Sequence, residues 1–174
     1  MKIFAETERL LLREIVPEDL DGFLELDSDP EVHRYLGNRP VSDKNKLLEI
    51  IRYVRQQYLD HGIGRWAVVE KSSNRFIGWS GLKKVTETVN HHINYYDLGY
   101  RLIRSHWGQG YATESARAAL AYGFDQLQLK EIYAAAHSDN LASQNILTKV
   151  GFRFIETFDD DGAKHHWYKI LRGQ

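Results

Sequence analysis

The run Arg104-Ser-His-Trp-Gly-Gln-Gly-Tyr-Ala-Thr-Glu114 joins a strand-like segment to a helix through two glycines one residue apart. Without Cβ atoms, Gly108 and Gly110 let the backbone turn sharply and turn successive N–H groups outward, and the helix that follows adds the positive end of its dipole. Such a loop is suited to an anion, and a pyrophosphate is its natural guest. Thr113 stands where a dinucleotide-binding G-x-G-x-x-G would place its third glycine, and no Gly-Lys-Ser/Thr follows, so the Rossmann fingerprint and the P-loop are both excluded.

The elements that must position this loop are punctuated along the chain. Leu10 to Val16 reads as a strand, and Pro17-Glu-Asp opens a helix that ends near Asp29-Pro30. Ser42 is placed to cap a second helix, in which Leu47, Leu48, Ile51, Val54 and Tyr58 recur at helical spacing until His61-Gly62. Trp66-Ala-Val-Val and Phe76 to Leu82 form a hairpin around Lys71 to Asn74, and Tyr95 to Ile103 is the strand that feeds the glycine loop. After it come a helix with small residues at Ala112, Ala116 and Ala119, a strand from Lys130 to His137, a helix from Asn140 to Val150, and two strands around Asp159 to Gly162. The order predicts one domain over residues 1–174, an α/β mixed sheet with helices on its faces.

Composition bounds the partners. The 174 residues carry 43% hydrophobic and 27% charged side chains, with a net charge of −1, which gives no global attraction to nucleic acid or to an anionic membrane. There is no cysteine, so no thiol nucleophile and no covalent cysteine intermediate. No apolar run approaches the roughly 18 residues of a spanning helix, and a cytoplasmic location is expected. The pairs His91-His92 and His165-His166 do not suggest a metal, because adjacent strand residues point to opposite faces.

In this order, Thr7-Glu-Arg-Leu-Leu-Leu-Arg13, Leu98-Gly-Tyr100, Trp107 to Glu114, and Asn140 with Ser143 ahead of Lys149-Val-Gly-Phe152 resemble the Gcn5-related N-acetyltransferases, and more narrowly the branch that acetylates ribosomal protein N-termini. The resemblance implies a sheet of about seven mostly antiparallel strands with about four helices, acetyl-CoA as donor, a primary amine as acceptor, and direct transfer. It also implies that Leu102 and Ile103 hold the pantetheine arm, that Trp107, Gly108, Gln109, Gly110, Tyr111, Ala112 and Thr113 hold the pyrophosphate with help from Arg104, and that Asn140 and Asn145 touch the cofactor. The resemblance is compatible with a homodimer, but no feature of the sequence specifies one.

Acyl transfer to an amine needs an acceptor for the ammonium proton, a donor to the developing oxyanion, and a proton for the leaving thiolate. Asp97 is the first candidate for base, because related enzymes place an acid there, and Glu156 is the second. The tyrosine that many relatives use four residues before the Gly-Phe pair is replaced by Leu147, so Ser143 is expected as a relay or as a donor to sulfur. The oxyanion donor is expected to be a backbone N–H between Gly99 and Leu102. Tyr35 is the candidate on the acceptor side, in a site formed by the first two helices and the last loop. A protein N-terminus is the leading acceptor, a small-molecule amine the alternative, and a non-catalytic acyl-CoA-binding module the reading from another class.

Overall fold

The computed structural model describes residues 1–173. Eight strands form one sheet: β1 (Ile3–Glu6), β2 (Leu10–Glu14), β3 (Trp66–Glu70), β4 (Arg75–Val85), β5 (Tyr95–Leu102), β6 (Glu131–His137), β7 (Arg153–Asp160) and β8 (Ala163–Leu171), in the order β1-β2-β3-β4-β5-β6-β8-β7. Four helices cover it: α1 (Leu20–Asp27), α2 (Lys44–His61), α3 (Tyr111–Asp125) and α4 (Leu141–Lys149). β1 was not foreseen in the sequence. It is four residues long, too short for a period to show, and it exists as a strand through its pairing with β2. The cap of α2 also moves by one residue, since Asp43, not Ser42, accepts the Asn45 N–H.

Strand alternation gives the sheet two chemically different faces. Leu98 and Leu102 of β5, with Ile132, Ala134 and Ala136 of β6, join Ala116, Ala119 and Leu120 of α3 and Leu147 of α4 in one core. The small residues of α3 let it lie close to the sheet: a Cβ on Gly123 would come within 2.7 Å of Leu82. On the opposite face Ile15 and Phe23 pack with Leu47, Ile51 and Val54 of α2. This is the face toward which Asp97, Gly99 and Arg101 point.

Every neighbouring pair of strands is antiparallel except β5 with β6. That parallel pair is joined at one register position, Asp97 opposite Tyr133, and beyond it the two strands diverge. β5 nevertheless stays paired to β4 through Leu102, and β6 to β8 through His137. The result is a wedge-shaped opening in the middle of the sheet. Ala135 of β6 is exposed, so the face of the sheet beside this opening is uncovered.

Candidate active site

Backbone groups line the opening. The Ile103 N–H donates to Ile77 O at 2.8 Å, and the register between β4 and β5 runs without a shift from there to Tyr95. Alternation therefore turns the N–H groups of odd-numbered β5 residues toward β4 and those of Tyr100 and Leu102 toward the opening, where no strand faces them. At the end of β5 the Trp107 indole N–H donates to Leu102 O at 2.8 Å and pins the glycine loop to the strand.

The loop has the expected form. Gly108 and Gly110 have φ of 73° and 84°, in the left-handed region, and a Cβ on Gly108 would meet nothing within 4 Å. Among the described residues no acceptor takes the N–H of Gly108, Gln109 or Gly110, and the first helical bond of α3 is Glu114 N–H to Gly110 O. Free amides, helix N-terminus and neighbouring opening together fit a pyrophosphate with an extended arm. Arg9, which the sequence does not single out, closes the loop from behind: it donates to Gln109 O at 2.9 Å, pairs with Glu114 at 3.3 Å, and lies over the Tyr111 ring. Arg104 pairs through Nε with Asp29 at 3.0 Å while its side chain stays exposed, and the Gln109 amide folds back to Ser105 O. A larger groove of about 920 Å³ begins at Gly110 and follows the outer side of α3 past Arg117 and Lys149, away from the opening.

On the α3 and α4 side, Asn140 caps α4 by accepting the Ser143 N–H at 3.1 Å. The Ser143 hydroxyl lies 2.9 Å from the Tyr100 hydroxyl, so the pair bridges the strand before the opening to the helix behind it. Burial pushes the Tyr100 phenol up to about 12, with the Ser143 bond pulling slightly the other way. Asn145 is exposed on the same helix. Thr113 is buried and Ala112 is half-buried at the start of α3.

The other side holds a cluster that sequence reasoning missed apart from Asp97. Arg65, at the foot of β3, donates through Nη2 to Asp97 Oδ2 at 2.5 Å and through Nη1 to the carbonyls of Asp97 and Gly81. Its guanidinium lies across Gly99, where a Cβ would come within 2.8 Å of it. Arg101 Nη1 donates to Asp27 Oδ1 at 2.7 Å, and His33 Nε2 lies 3.0 Å from the same oxygen, which compensates a carboxylate that is 1% exposed. Both guanidiniums sit about 5 Å from the Trp79 ring centre. Arg65, Arg101, Asp27 and Trp79, with Phe23, Ile50, Tyr53, Gln57 and Lys83, line a cavity of about 300 Å³, and Asp97 meets it through its ion pair with Arg65.

Tyr35 packs against His137 at the open end of β6, with ring centres 5.4 Å apart, and Arg39 reaches Asp161, so the α1–α2 connection and the β7–β8 turn meet at this rim. Glu156 lies apart from the group. It sits on β7, beyond β8, opposite Trp167, and accepts from the Asn90 amide at 2.9 Å. The partners that the sequence hides are distant in the chain: Arg65 is 32 positions from Asp97, and Arg101 is 74 from Asp27. The one local signal is Gly99, a glycine within an otherwise well-formed strand, which marks the close approach of another group.

A sheet split beside a glycine loop that opens a helix defines an acyl-CoA-binding transferase fold. Residues 9–153 match the acetyltransferase (GNAT) domain family, and the chain belongs to that family. It is 31% identical to an uncharacterized N-acetyltransferase, p20, of Bacillus licheniformis, over 84% of this chain and 80% of that one. It is 30% identical to the FsC-acetyl coenzyme A-N(2)-transacetylase of Aspergillus fumigatus, over 87% of this chain and 66% of that protein. An acetyltransferase (GNAT family) structure from Bacillus anthracis superposes with a TM-score of 0.81 over the full length of both chains at 24% identity. The protein is an acetyl-CoA-dependent N-acetyltransferase.

Proposed function

We propose that the acceptor is the primary amine of a small molecule that binds in the cavity between α1, α2 and β5. The observation that carries this reading is the cavity itself: about 300 Å³, lined by Arg101 of β5 and by Arg65, the partner of Asp97, on the face of the sheet toward which Asp97 points. That space suits one small molecule or one residue. The relative from Aspergillus fumigatus, named for transacetylation at an N(2) position of FsC, supports transfer to a nitrogen of an acceptor other than a named protein. A protein N-terminus, the reading favoured by Asn140 and Ser143 in the ribosomal-protein pattern, is the second candidate.

Acetyl-CoA supplies the thioester acyl group. The amides of Gly108 to Thr113 would hold its pyrophosphate, and the edge of β5 at Leu102, whose N–H faces the opening, would receive the extended arm; the main-chain groups of the adjoining Ile103 are taken by Ile77 and His106. The Tyr100 N–H, which faces the opening without a strand partner, donates to the oxygen that gains charge as the amine attacks. Asp97 takes the proton from the amine, through water, on Oδ1, which has no hydrogen bond among the described residues; Arg65 holds Oδ2 and fixes the carboxylate. Ser143, oriented by Tyr100 and by the Asn140 cap, donates a hydrogen bond to the departing sulfur as the C–S bond breaks, and the thiolate takes up, through water, the proton that the acylated nitrogen loses. Asn140 and Asn145 stand on the helix that borders this arm, and Tyr35 borders the acceptor entrance. Glu156 receives no step in this scheme.

Release of coenzyme A measured against small amines and N-terminal peptides tests the assignment. Turnover with small amines, faster than with any peptide, is expected. Turnover with peptides alone would transfer the function to the second candidate, and none with either would remove it.

A further inference from the structure

Resting on the small-amine reading, we infer that the acceptor carries a carboxylate next to its amine, as an α-amino acid does, and that Arg101 binds that carboxylate. The cavity presents three cationic side chains, Arg65, Lys83 and Arg101, against Asp27, with Asp97 engaged by Arg65. The two arginines are not equivalent. Arg65 spends three hydrogen bonds within the protein, on Asp97 and two carbonyls. Arg101 makes one, from Nη1 to Asp27; among the described residues its Nε is buried without an acceptor, and its Nη2 has none either. A guanidinium that only neutralised Asp27 would need no exposure, yet the Arg101 side chain keeps 23% of its surface open while Asp27 keeps 2%. Five donors in a planar fork make arginine the residue for binding a carboxylate, and stacking on Trp79 holds the plane in place.

Position supports the same assignment. Arg101 lies on β5 roughly 7 Å along the strand from Gly99 and on the same face. The reacting amine must lie near Gly99 and Tyr100, so a carboxylate one carbon away falls within reach of the Arg101 side chain. Trp79, Ile50 and Tyr53 form the apolar part of the cavity, with Ile50 38% and Tyr53 57% exposed, and would receive an apolar side chain. Polyamines, with no anion and several positive charges, oppose the cationic lining.

The test compares acceptors that differ only by the carboxylate: phenylalanine with phenethylamine, and leucine with 3-methylbutylamine. In the wild-type enzyme kcat/KM is expected to favour the amino acid at least tenfold in one pair or both. Arg101→Gln should reduce that ratio to within about twofold of one, and Arg101→Lys, which keeps the charge without the fork, should give an intermediate value. Equal use of both members by the wild-type enzyme overturns the inference and leaves the small-amine reading standing, with no variant needed. If no amine is turned over, the binding of N-acetylphenylalanine and N-acetylphenethylamine in the presence of coenzyme A, measured by calorimetry, still decides it. A tenfold preference for the acid supports the inference, and equal binding ends it.

Discussion

Asp97 and Tyr100, three residues apart on β5, face opposite sides of the sheet and present different chemistry. Asp97 is bound by one oxygen to Arg65 and, among the described residues, has no partner at the other, so Asp97→Asn replaces the ion pair by a neutral hydrogen bond while preserving shape. If Asp97 takes the amine proton, the variant loses at least about tenfold in kcat/KM at pH 6 to 7 and recovers toward pH 9, where more of the amine is already neutral. Equal activity of the variant and wild-type enzymes across that range would remove Asp97 as base. Tyr100 makes a separate prediction about stability. Its phenol is raised from the ordinary 10 to about 12 by burial, so the folded state keeps a proton that the unfolded chain releases. A raised pKa stabilises fully below pH 10, and that contribution is lost as pH climbs toward 12, by roughly 1.4 kcal/mol at pH 11. Urea denaturation at pH 9 and pH 11 should show Tyr100→Phe losing less stability than wild type by about that amount. Burial also raises Tyr58 and Tyr95, so both proteins still weaken at high pH, and an identical decline would disprove the Tyr100 assignment.

The strand that carries these residues was legible in the sequence, and so was the glycine loop that follows it. Gly78 and Gly99 show what was not. Gly78, on β4, adopts φ of 147°, and a Cβ there would lie 2.2 Å from the Arg101 backbone oxygen, which cannot yield without moving β5. Gly99, on β5, would meet the guanidinium of Arg65 first, at 2.8 Å, the far end of a flexible side chain. Gly78→Ala is therefore expected to cost about 3 kcal/mol or more by thermal or urea denaturation, and Gly99→Ala less than about 1 kcal/mol. Gly99→Ala should instead lower kcat/KM, because Arg65 must leave Asp97. A Gly99→Ala protein of wild-type activity would show that Arg65 has no part in orienting the carboxylate. Caps and stops such as Asn140 and Gly151 are local and could be read directly, because the residue that ends a helix is also the one that satisfies its end. The Arg65–Asp97 and Arg101–Asp27 pairs could not, because they form between strands and helices whose juxtaposition depends on the whole sheet.

Taken as a whole, the molecule is an eight-stranded sheet in which seven strand pairs form but one of them, β5 with β6, is joined at a single position. Both strands are paired on their far sides, so the interruption leaves the body of the sheet intact and exposes a row of main-chain groups at its centre. The amides of Tyr100 and Leu102 then differ from their immediate neighbours in one respect: Gly99 and Arg101 donate into the β4 ladder, whereas these two donate into the opening. Amide hydrogen exchange makes the difference measurable, since protection follows hydrogen bonding and local opening. In the free protein Tyr100 and Leu102 are expected to exchange much faster than Gly99 and Arg101. Saturating coenzyme A should slow Leu102, which borders the arm, and the loop amides from Gly108 to Gly110. Tyr100 should be slowed further by acetyl-CoA than by coenzyme A, because only the acyl group offers its N–H a carbonyl. Equal effects of the two ligands at Tyr100 would disprove its role as donor to the thioester oxygen, and protection of both amides in the free protein would mean that the sheet is closed there.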